Sequence, residues 1–340
     1  MTPRRTAPRP LPSPRRIPLG GRGPEDVVVD HEGRVVTGVE DGRILRVHPH
    51  GPARVEQIAR TGGRPLGLEV LPDGRLLVCD AERGLLRITP DSPDSGGSPD
   101  SGGSGGSGGS GEGKVEVLVD SVAGAPLRFC SNATAAADGT VYFSASSTRY
   151  GLQDWLGDLM EHTATGRLFR LRPHGGAPEV LLDGLDFANG VVLSEDESCV
   201  VVAETGAYRL TRLWLSGPRA GHRDTLIENL PGFPDNLSRA TDGTIWVALA
   251  GPRQAPLDWL RHAPVQVRRA VWRAVRPLHI RPLPVARVMG IGPDGGVHHD
   301  LRRRKAGYRM VTSVYAHEGA LVLGSLLEDG IAVCELPELS

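Results

Sequence analysis

The sequence predicts an all-β fold, a six-bladed β-propeller with short helical insertions on its rim. The first observation is a unit that occurs six times: an apolar run, a tight turn with Asp-Gly or Glu-Gly in most copies, and a second apolar run. Such turns between alternating hydrophobic residues are typical of β-hairpins. The second observation is composition, because 45 glycines and 28 prolines in 340 residues favour short strands over long helices. All-β repeats at this spacing indicate a propeller.

The six hairpins follow one another along the chain, and each supplies the inner part of one blade. They are EDVVVDHEGRVVTGV, LGLEVLPDGRLLVCDA, NATAAADGTVYFSAS, NGVVLSEDESCVVVAET, DNLSRATDGTIWVALA and TSVYAHEGALVLGSL. Most copies precede a more basic segment such as GRILRVHPHG or GRLFRLRPHGG, which would extend the hairpin to about one four-stranded sheet. The stretch RRIPL, ahead of the first hairpin, could complete the last blade and close the ring.

Composition also divides the chain into segments. Residues 1–17 are rich in Arg and Pro and predict a disordered arm, whereas residues 18–340 predict one propeller. Residues 92–113 are almost all Gly, Ser, Pro and Asp, which predicts a disordered loop inside blade 2. Residues 255–281 combine apolar residues at helical spacing with a cluster of arginines, which predicts a basic amphipathic helix on the rim. Packing on the propeller, capping of the channel and docking on a membrane are open alternatives for it.

Charge and cysteine usage narrow the range of functions. Lys and Arg total 39 against 40 Asp and Glu, so no overall field would attract nucleic acid or an acidic membrane. No stretch approaches the roughly 18 apolar residues of an integral membrane segment, and the N-terminus lacks the apolar region of a secretion signal. The four cysteines have no metal-binding spacing and are expected to be reduced. We therefore expect a cytoplasmic protein with no nucleic-acid partner, while its oligomeric state stays open.

Polar residues recur where the first strand of a hairpin begins, seven or eight residues before the turn. These positions hold Glu25, Asn132, Asn189 and Asp235-Asn236 in four blades, and Leu66-Gly67 and Thr312-Ser313 in the other two. The first strand of a propeller blade is the innermost, so these side chains would meet around the central channel. Asn and Asp could also simply form turns there. Their shared register favours a metal site, and oxygen ligands without His or Cys favour Ca²⁺, with Mg²⁺ and Mn²⁺ as alternatives.

The motifs around these residues resemble those of a known family. They include GPEDVVVD, SSTRYGLQDWLGDLMEHTATGRLFRL, LLDGLDFANGVVLSEDESCVVVAET and LPGFPDNLSRATDGTIWVALAGPR. The chain is similar here to the strictosidine synthase-like group, which includes the adipocyte plasma membrane-associated proteins. That group is related to the paraoxonases and to the senescence marker protein/gluconolactonase proteins. The resemblance extends from about Pro18 to Leu336 and is interrupted by the Gly/Ser tract.

This resemblance implies a propeller with calcium in its channel and metal-dependent hydrolysis of lactones or esters. The family's metal ligands would fall on the Glu of GPEDV, the Asn of FANG and the Asp-Asn of FPDN, which are Glu25, Asn189, Asp235 and Asn236. Asn132, the Asn of CSNAT, matches a further ligand or a substrate-contacting position.

The chain also departs from its relatives at three places, and at one of them Ala133 follows Asn132 where many relatives have Asp. Leu66 stands where paraoxonases have a catalytic His, which puts a paraoxonase-style His dyad in doubt. Thr312 and Ser313 stand where the namesake synthase has a catalytic Glu, which argues against strictosidine synthase activity.

Together these residues predict a calcium-dependent hydrolase of lactones or carboxylic esters, in which the metal polarises the carbonyl and Asp235 is the candidate base. Glu204 could face the channel or cap a strand. The segment GLQDWLGDLMEH predicts a short helix over the channel mouth, either as a lid or as simple packing. The alternative function is a non-catalytic propeller that calcium braces and that binds another protein.

Overall fold

A computed structural model of the chain describes residues 6–48, 54–90, 113–278, 282–305 and 307–336. Six sheets, each with four antiparallel strands, stand side by side in a ring, and their innermost strands contact one another in order around a central channel. The predicted six-bladed β-propeller is therefore confirmed. Its core consists of apolar clusters between neighbouring blades, such as the one that joins Val201 of blade 4 to Val247 of blade 5.

The first half of the chain forms three blades. Two strands precede them, β1 (Arg9–Pro10) and β2 (Arg15–Pro18). Blade 1 contains β3 (Val27–Val29), β4 (Val35–Gly38), β5 (Arg43–His48) and β6 (Arg54–Arg60). Blade 2 contains β7 (Pro65–Val70), β8 (Leu76–Asp80), β9 (Gly84–Thr89) and β10 (Lys114–Val119), and a small hairpin follows, β11 (Ser121–Val122) and β12 (Ala125–Pro126). Blade 3 contains β13 (Cys130–Ala135), β14 (Val141–Ala145), β15 (Gly166–Leu171) and β16 (Glu179–Leu185).

The second half forms the other three blades. Blade 4 contains β17 (Ala188–Leu193), β18 (Cys199–Glu204), β19 (Arg209–Trp214) and β20 (Arg223–Ile227). Blade 5 contains β21 (Gly232–Arg239), β22 (Ile245–Pro252), β23 (Val285–Ile291) and β24 (Val297–Arg304). Blade 6 contains β25 (Val311–His317), β26 (Ala320–Ser325) and β27 (Gly330–Glu335), and its fourth strand is β2.

The N-terminal segment closes the ring. Strand β2, within the RRIPL stretch, pairs antiparallel with β27, and β1 pairs parallel with β24. Part of the segment predicted to be a disordered arm, residues 1–17, therefore lies in two sheets. The physical reason is apolar burial, since Leu11 and Ile17 are almost completely excluded from solvent.

The hairpin turns lie at the positions that the repeat predicts. Five of them contain a glycine with a left-handed φ between +72° and +83°, namely Gly33, Gly74, Gly139, Gly243 and Gly319. In blade 4 Glu197 adopts this conformation at φ +53°. Glycine has no Cβ to clash there, which explains why five of the six repeats carry it at this point.

Three helices interrupt the blades. A 3₁₀ turn (Leu152–Asp154) and α1 (Trp155–Glu161) connect β14 to β15, whereas α2 (Ala255–Leu260) and α3 (Val265–Val275) connect β22 to β23. The single helix predicted over 255–281 is thus two helices. Pro264 separates them, because proline lacks an N–H and disfavours the helical conformation in the residue before it.

The three helices pack on one another through Met160, Leu260 and Trp272, and we call α1, α2 and α3 together the helical cap. No helix in the described residues is long and apolar enough to cross a membrane. Residues 279–281 of the predicted helix and residues 92–112 of the predicted Gly/Ser loop lie outside the described part of the chain.

Ring closure gives a testable consequence. We expect Ile17→Ala to lower the free energy of unfolding by about 3 kcal/mol, because it removes a buried side chain from the strand that completes blade 6. Val117→Ala on the outer strand β10 is the matched control, since Val117 is 42% exposed and should change stability by less than about 0.5 kcal/mol. Urea unfolding of both variants measures the difference, and equal stabilities would contradict a closing role for β2.

Candidate functional site

The innermost strands are irregular where the predicted polar residues lie. Five of the six innermost strands change register against the second strand of their blade, near the start of the innermost strand. The changes lie between Pro65 and Leu68, Cys130 and Ala133, Ala188 and Val191, Pro234 and Leu237, and Val311 and Ser313. A bulge takes residues out of the ladder and redirects their side chains. Asn and Asp, which disfavour regular strands, are therefore tolerated at these positions and directed toward the channel.

Two glycines allow the inner strands to approach closely at the bulges. A Cβ on Gly67 would lie 2.6 Å from Asn132 atoms, and a Cβ on Gly190 would lie 2.4 Å from the backbone nitrogen of Leu237. Both glycines directly follow a bulge residue, Leu66 or Asn189. The backbone contact between blades 4 and 5 therefore requires glycine beside the predicted ligands.

Hydrogen bonds join the five predicted site residues, which come from four blades and are all buried. Asn189 Nδ2 donates to Asp235 Oδ1 at 2.6 Å, and Asn236 Nδ2 donates to Glu25 Oε1 at 2.9 Å. Asn132 Nδ2 donates to Asn236 Oδ1 at 3.1 Å. The structure thus brings all five together at the centre of the ring.

Sequence reasoning missed a third carboxylate, Asp26. Its oxygens accept bonds from Ser313 Oγ at 2.5 Å, from the Leu68 nitrogen at 2.9 Å and from Asn132 Nδ2 at 3.2 Å. Asp26 therefore ties blades 1, 2, 3 and 6 together. The signal was present in the acidic pair of GPEDV, but only the first acid stands in register with the other predicted residues.

Burial gives these carboxyl groups unusual proton affinities. The pKa of Glu25 is raised well above its ordinary value by burial first and then by the charges of Asp235 and Asp26. Burial also raises the pKa of Asp235 well above its ordinary value, although the Asn189 hydrogen bond opposes the change. The buried Arg64 guanidinium is the nearby cation that lowers the pKa of Glu25.

The donor set fits a hard cation. Among the described residues no three His, Cys, Asp or Glu side chains are placed to hold a metal ion together, so a ligand set here would draw on other oxygen atoms, which the Asn189 and Asn236 amides offer. Glu25 Oε2 is buried and has no hydrogen-bond partner, and a cation that bound this oxygen would satisfy it. Asn189 and Asn236 at present direct their NH₂ groups to the carboxylates, so each amide would have to turn over to offer its oxygen.

A cavity of about 590 Å³ opens above this cluster. Its polar lining comes from Glu25, Ser131, Asn189, Thr205, Asp235, Gln254 and Thr312. Most of the remaining wall is apolar, with Leu66, Phe129, Phe187 and Phe233 from the propeller and Trp155, Leu156, Met160, Leu257, Leu260, Val271 and Val275 from the helical cap. The cap thus covers the channel mouth, while Asn132 and Asn236 lie behind the lining.

Glu204 does not belong to this site. Its carboxylate accepts bonds from Arg209, Thr211 and the backbone nitrogen of Asp186, and it forms an ion pair with Arg223. These contacts hold the loops of blade 4 together. Of the two interpretations of Glu204, facing the channel or capping a strand, these contacts favour capping.

Comparisons with known proteins show which family the chain is similar to. Residues 133–218 match the strictosidine synthase family model, and residues 10–47 match the strictosidine synthase-like N-terminal model. The chain is 33% identical over 327 residues to the adipocyte plasma membrane-associated protein of Rattus norvegicus, covering 89% of this chain and 80% of that protein. It is 31% identical over 354 residues to a strictosidine synthase-like protein of Arabidopsis thaliana, covering 96% and 89%.

Solved structures share the fold at low sequence identity. A gluconolactonase from Xanthomonas campestris superposes with a TM-score of 0.62 at 16% identity, covering 98% of this chain and 99% of that one. A calcium-binding regucalcin from Agrobacterium tumefaciens gives a TM-score of 0.60 at 13% identity, covering 97% and 95%. These similarities support the propeller fold.

The names of the relatives correct one expectation. The chain was predicted to be cytoplasmic, but the relatives that it matches over most of its length are named plasma membrane-associated proteins, so this prediction is wrong. Balanced total charge and the lack of a membrane span in the sequence carry no information about attachment to a membrane surface.

The close approach of blades 4 and 5 can be tested by substitution. We expect Gly190→Ala to lower the free energy of unfolding by about 2 kcal/mol, because the new Cβ would overlap the backbone at Leu237. Gly151→Ala is the control, since no atom lies within 4 Å of its added Cβ and its φ is −88°. Urea unfolding compares them; a neutral Gly190→Ala would show that the inner strands separate freely.

A pH dependence follows from Asp158 in α1. Its carboxylate is buried under the cap and accepts a bond from Thr163 Oγ1 at 2.5 Å, and burial raises its pKa from 3.8 to about 6. The folded state therefore binds more protons than the unfolded chain in this range, and its stability falls as pH rises through it.

Between pH 3.8 and about 6, the free energy of unfolding of the unchanged protein should fall by about 3 kcal/mol more than that of Asp158→Asn, which has no carboxyl group to titrate at this position. Unfolding free energies of the two proteins across this interval measure it. Parallel stability curves would contradict the assignment.

Proposed function

The chain belongs to the strictosidine synthase-like family, and from this membership and its channel geometry we propose that it hydrolyses lactones or carboxylic esters with a divalent cation, Ca²⁺ first, at the channel centre. The observation that carries the proposal is the position of Glu25 and Asp235. Two buried carboxylates from opposite halves of the chain line a cavity of about 590 Å³ that the helical cap covers. Buried acids in a cleft are characteristic of functional sites.

The residues that would hold the cation are Glu25, Asn189, Asp235 and Asn236. Two carboxylates would balance its charge, and two amide oxygens would complete a hard-ligand set that suits Ca²⁺, with Mg²⁺ or Mn²⁺ as alternatives. When bound, such a cation supplies Lewis-acid polarisation of the substrate carbonyl. The fold similarity to the calcium-binding regucalcin supports this choice of metal.

In this proposal Asn132 does not contact the substrate directly. Its Nδ2 donates to Asn236 and Asp26, and its Oδ1 accepts from the Val191 nitrogen at 2.9 Å. With donor and acceptor both used behind the cavity wall, Asn132 would hold Asn236 in orientation.

Asp235 is the proposed base. It lines the cavity, and Asn189 is the side chain that donates to its Oδ1. Its carboxylate would accept a proton from the water that adds to the carbonyl carbon, and the proton would then pass to the leaving alkoxide oxygen. The lactone ring or ester bond opens, and the products are an acid and an alcohol function.

The cavity wall favours substrates with an apolar substituent. Phe129, Phe187 and Phe233 offer aromatic and aliphatic surface but few hydrogen-bond partners for a polyhydroxylated sugar lactone. Thr312, whose hydroxyl donates to the backbone of Glu25, offers no acid from blade 6, and we therefore do not propose amine–aldehyde condensation.

The second candidate is a propeller that calcium braces without catalysis. Asp26 favours it, because hydrogen bonds occupy both of its oxygens and link several blades. A cation nearby would reinforce the same links. In that case the protein would act as a binding module.

A lactonase assay tests the proposal. We expect turnover of aryl esters and of alkyl-substituted γ- and δ-lactones, with slower turnover of gluconolactone, loss on EDTA treatment and recovery when Ca²⁺ is added. Asp235→Asn should lower kcat/KM about a hundredfold or more, because it removes the base. Asp183→Asn on the outer strand β16 is the matched control and should keep full activity.

Calorimetric titration of Ca²⁺ separates the two candidates. Tight binding without EDTA-sensitive turnover would contradict the hydrolase and support the brace. Absence of any binding of Ca²⁺, Mg²⁺ or Mn²⁺ would contradict both.

A further inference from the structure

The segment that contains α2 and α3 and continues to Leu283 exposes an unusual amount of apolar side chain. The described residues contain seven large hydrophobic side chains that are exposed, and five lie between residues 259 and 283: Trp259, Val265, Val267, Leu278 and Leu283. Trp259 is 66% exposed and Leu278 is 62% exposed. Concentration in one short segment distinguishes this surface from the scattered exposure of an ordinary protein surface.

The same segment is strongly basic, although the whole chain is nearly neutral. Residues 255–278 contain five arginines and one aspartate. Arg276 pairs with Asp154, and Arg268 and Arg269 contact Glu161, so part of this charge is balanced within the cap. Arg273 is exposed and has no ion-pair partner among the described residues.

Helix α3 has one side that faces the propeller and one side that faces solvent. Trp272 is buried against Met160, and Val271 and Val275 line the cavity, so this side faces the propeller. Val267, Ala270, Arg273 and Ala274 lie on the other side and face solvent. A helix with small apolar residues and arginine on its outer face is suited to the boundary of a lipid bilayer.

The exposed residues also surround the opening of the cavity. Trp259 and Leu283 both line the cavity and are exposed, so they lie at its mouth. The cavity wall behind them is apolar. An apolar surface thus continues from outside the cap into the site.

We propose that the outer face of the helical cap docks on an anionic lipid bilayer, with the cavity mouth toward the lipid. Trp259 and Val267 of the cap, with Leu278 and Leu283 of the segment that follows α3, enter the acyl boundary, and Arg273 contacts the anionic headgroups. Charge complementarity selects this partner, because an apolar surface with a free arginine and little acid matches a negatively charged bilayer. The docking does not depend on the hydrolase proposal, since it requires no chemistry at the channel centre.

Vesicle co-sedimentation of the full chain tests the docking. We expect binding to vesicles of phosphatidylcholine mixed with phosphatidylserine, and weaker binding to phosphatidylcholine alone. Arg273→Glu should weaken the partition about tenfold, since it replaces attraction by repulsion. Val267→Ser should weaken it about threefold by removing apolar area from the first turn of α3, where serine is tolerated.

Matched controls keep the test specific. Arg172→Glu makes the same charge change on blade 3, and Val117→Ser removes one comparably exposed valine from the outer strand of blade 2. Both should bind like the unchanged protein. Circular dichroism confirms that each variant is folded.

Tryptophan fluorescence reports on insertion directly. Quenching of emission by brominated phosphatidylcholine in anionic vesicles should be largely lost in Trp259→Phe. Failure to bind anionic vesicles, equal loss of binding in the controls, or quenching that persists in Trp259→Phe would each overturn the proposal. If the protein did not bind vesicles and instead formed a stable complex with a partner protein that depended on Arg273, the cap would be a protein-binding surface.

Discussion

The burial of acidic side chains at the centre of the ring is the constraint on which the rest of the structure depends. Glu25, Asp26 and Asp235 are almost entirely excluded from water, where ionised carboxylates are costly unless other groups solvate them. Amides and hydroxyls from neighbouring blades provide that solvation, and a bulge in most inner strands directs them inward. The irregular strand ends and the glycines beside them follow from this one requirement.

Much of this architecture is visible in the sequence. The six hairpins predict the ring, and the shared register of Glu25, Asn189 and Asp235 predicts that they meet, because repeated units place equivalent residues at equivalent radius. Asp26 was missed for a physical reason. Its role depends on which side of the strand it occupies and on the serine and amide that a distant blade presents, which no local pattern records.

The packing of the helical cap is a second feature that the sequence did not predict. Helical periodicity predicted helices in the blade 3 and blade 5 insertions, but not that Met160 of one insertion would pack against Trp272 of the other. That contact joins segments more than a hundred residues apart, and through it the two rim insertions pack together as one cap over the channel. The N-terminal boundary was misplaced for a similar reason, since Leu11 and Ile17 gain their burial from strands near the opposite end of the chain.

The pairing of β2 with β27 also constrains how the molecule is made. Strand β2 precedes the six blades and β27 follows them, so blades that form before β27 are an open arc in which blade 1 lacks the apolar partners that blade 6 supplies, such as Val322. Contacts between distant segments form slowly, and exposed apolar surface favours association with other chains. We therefore expect association to compete most strongly with folding in the interval before β27 pairs with β2.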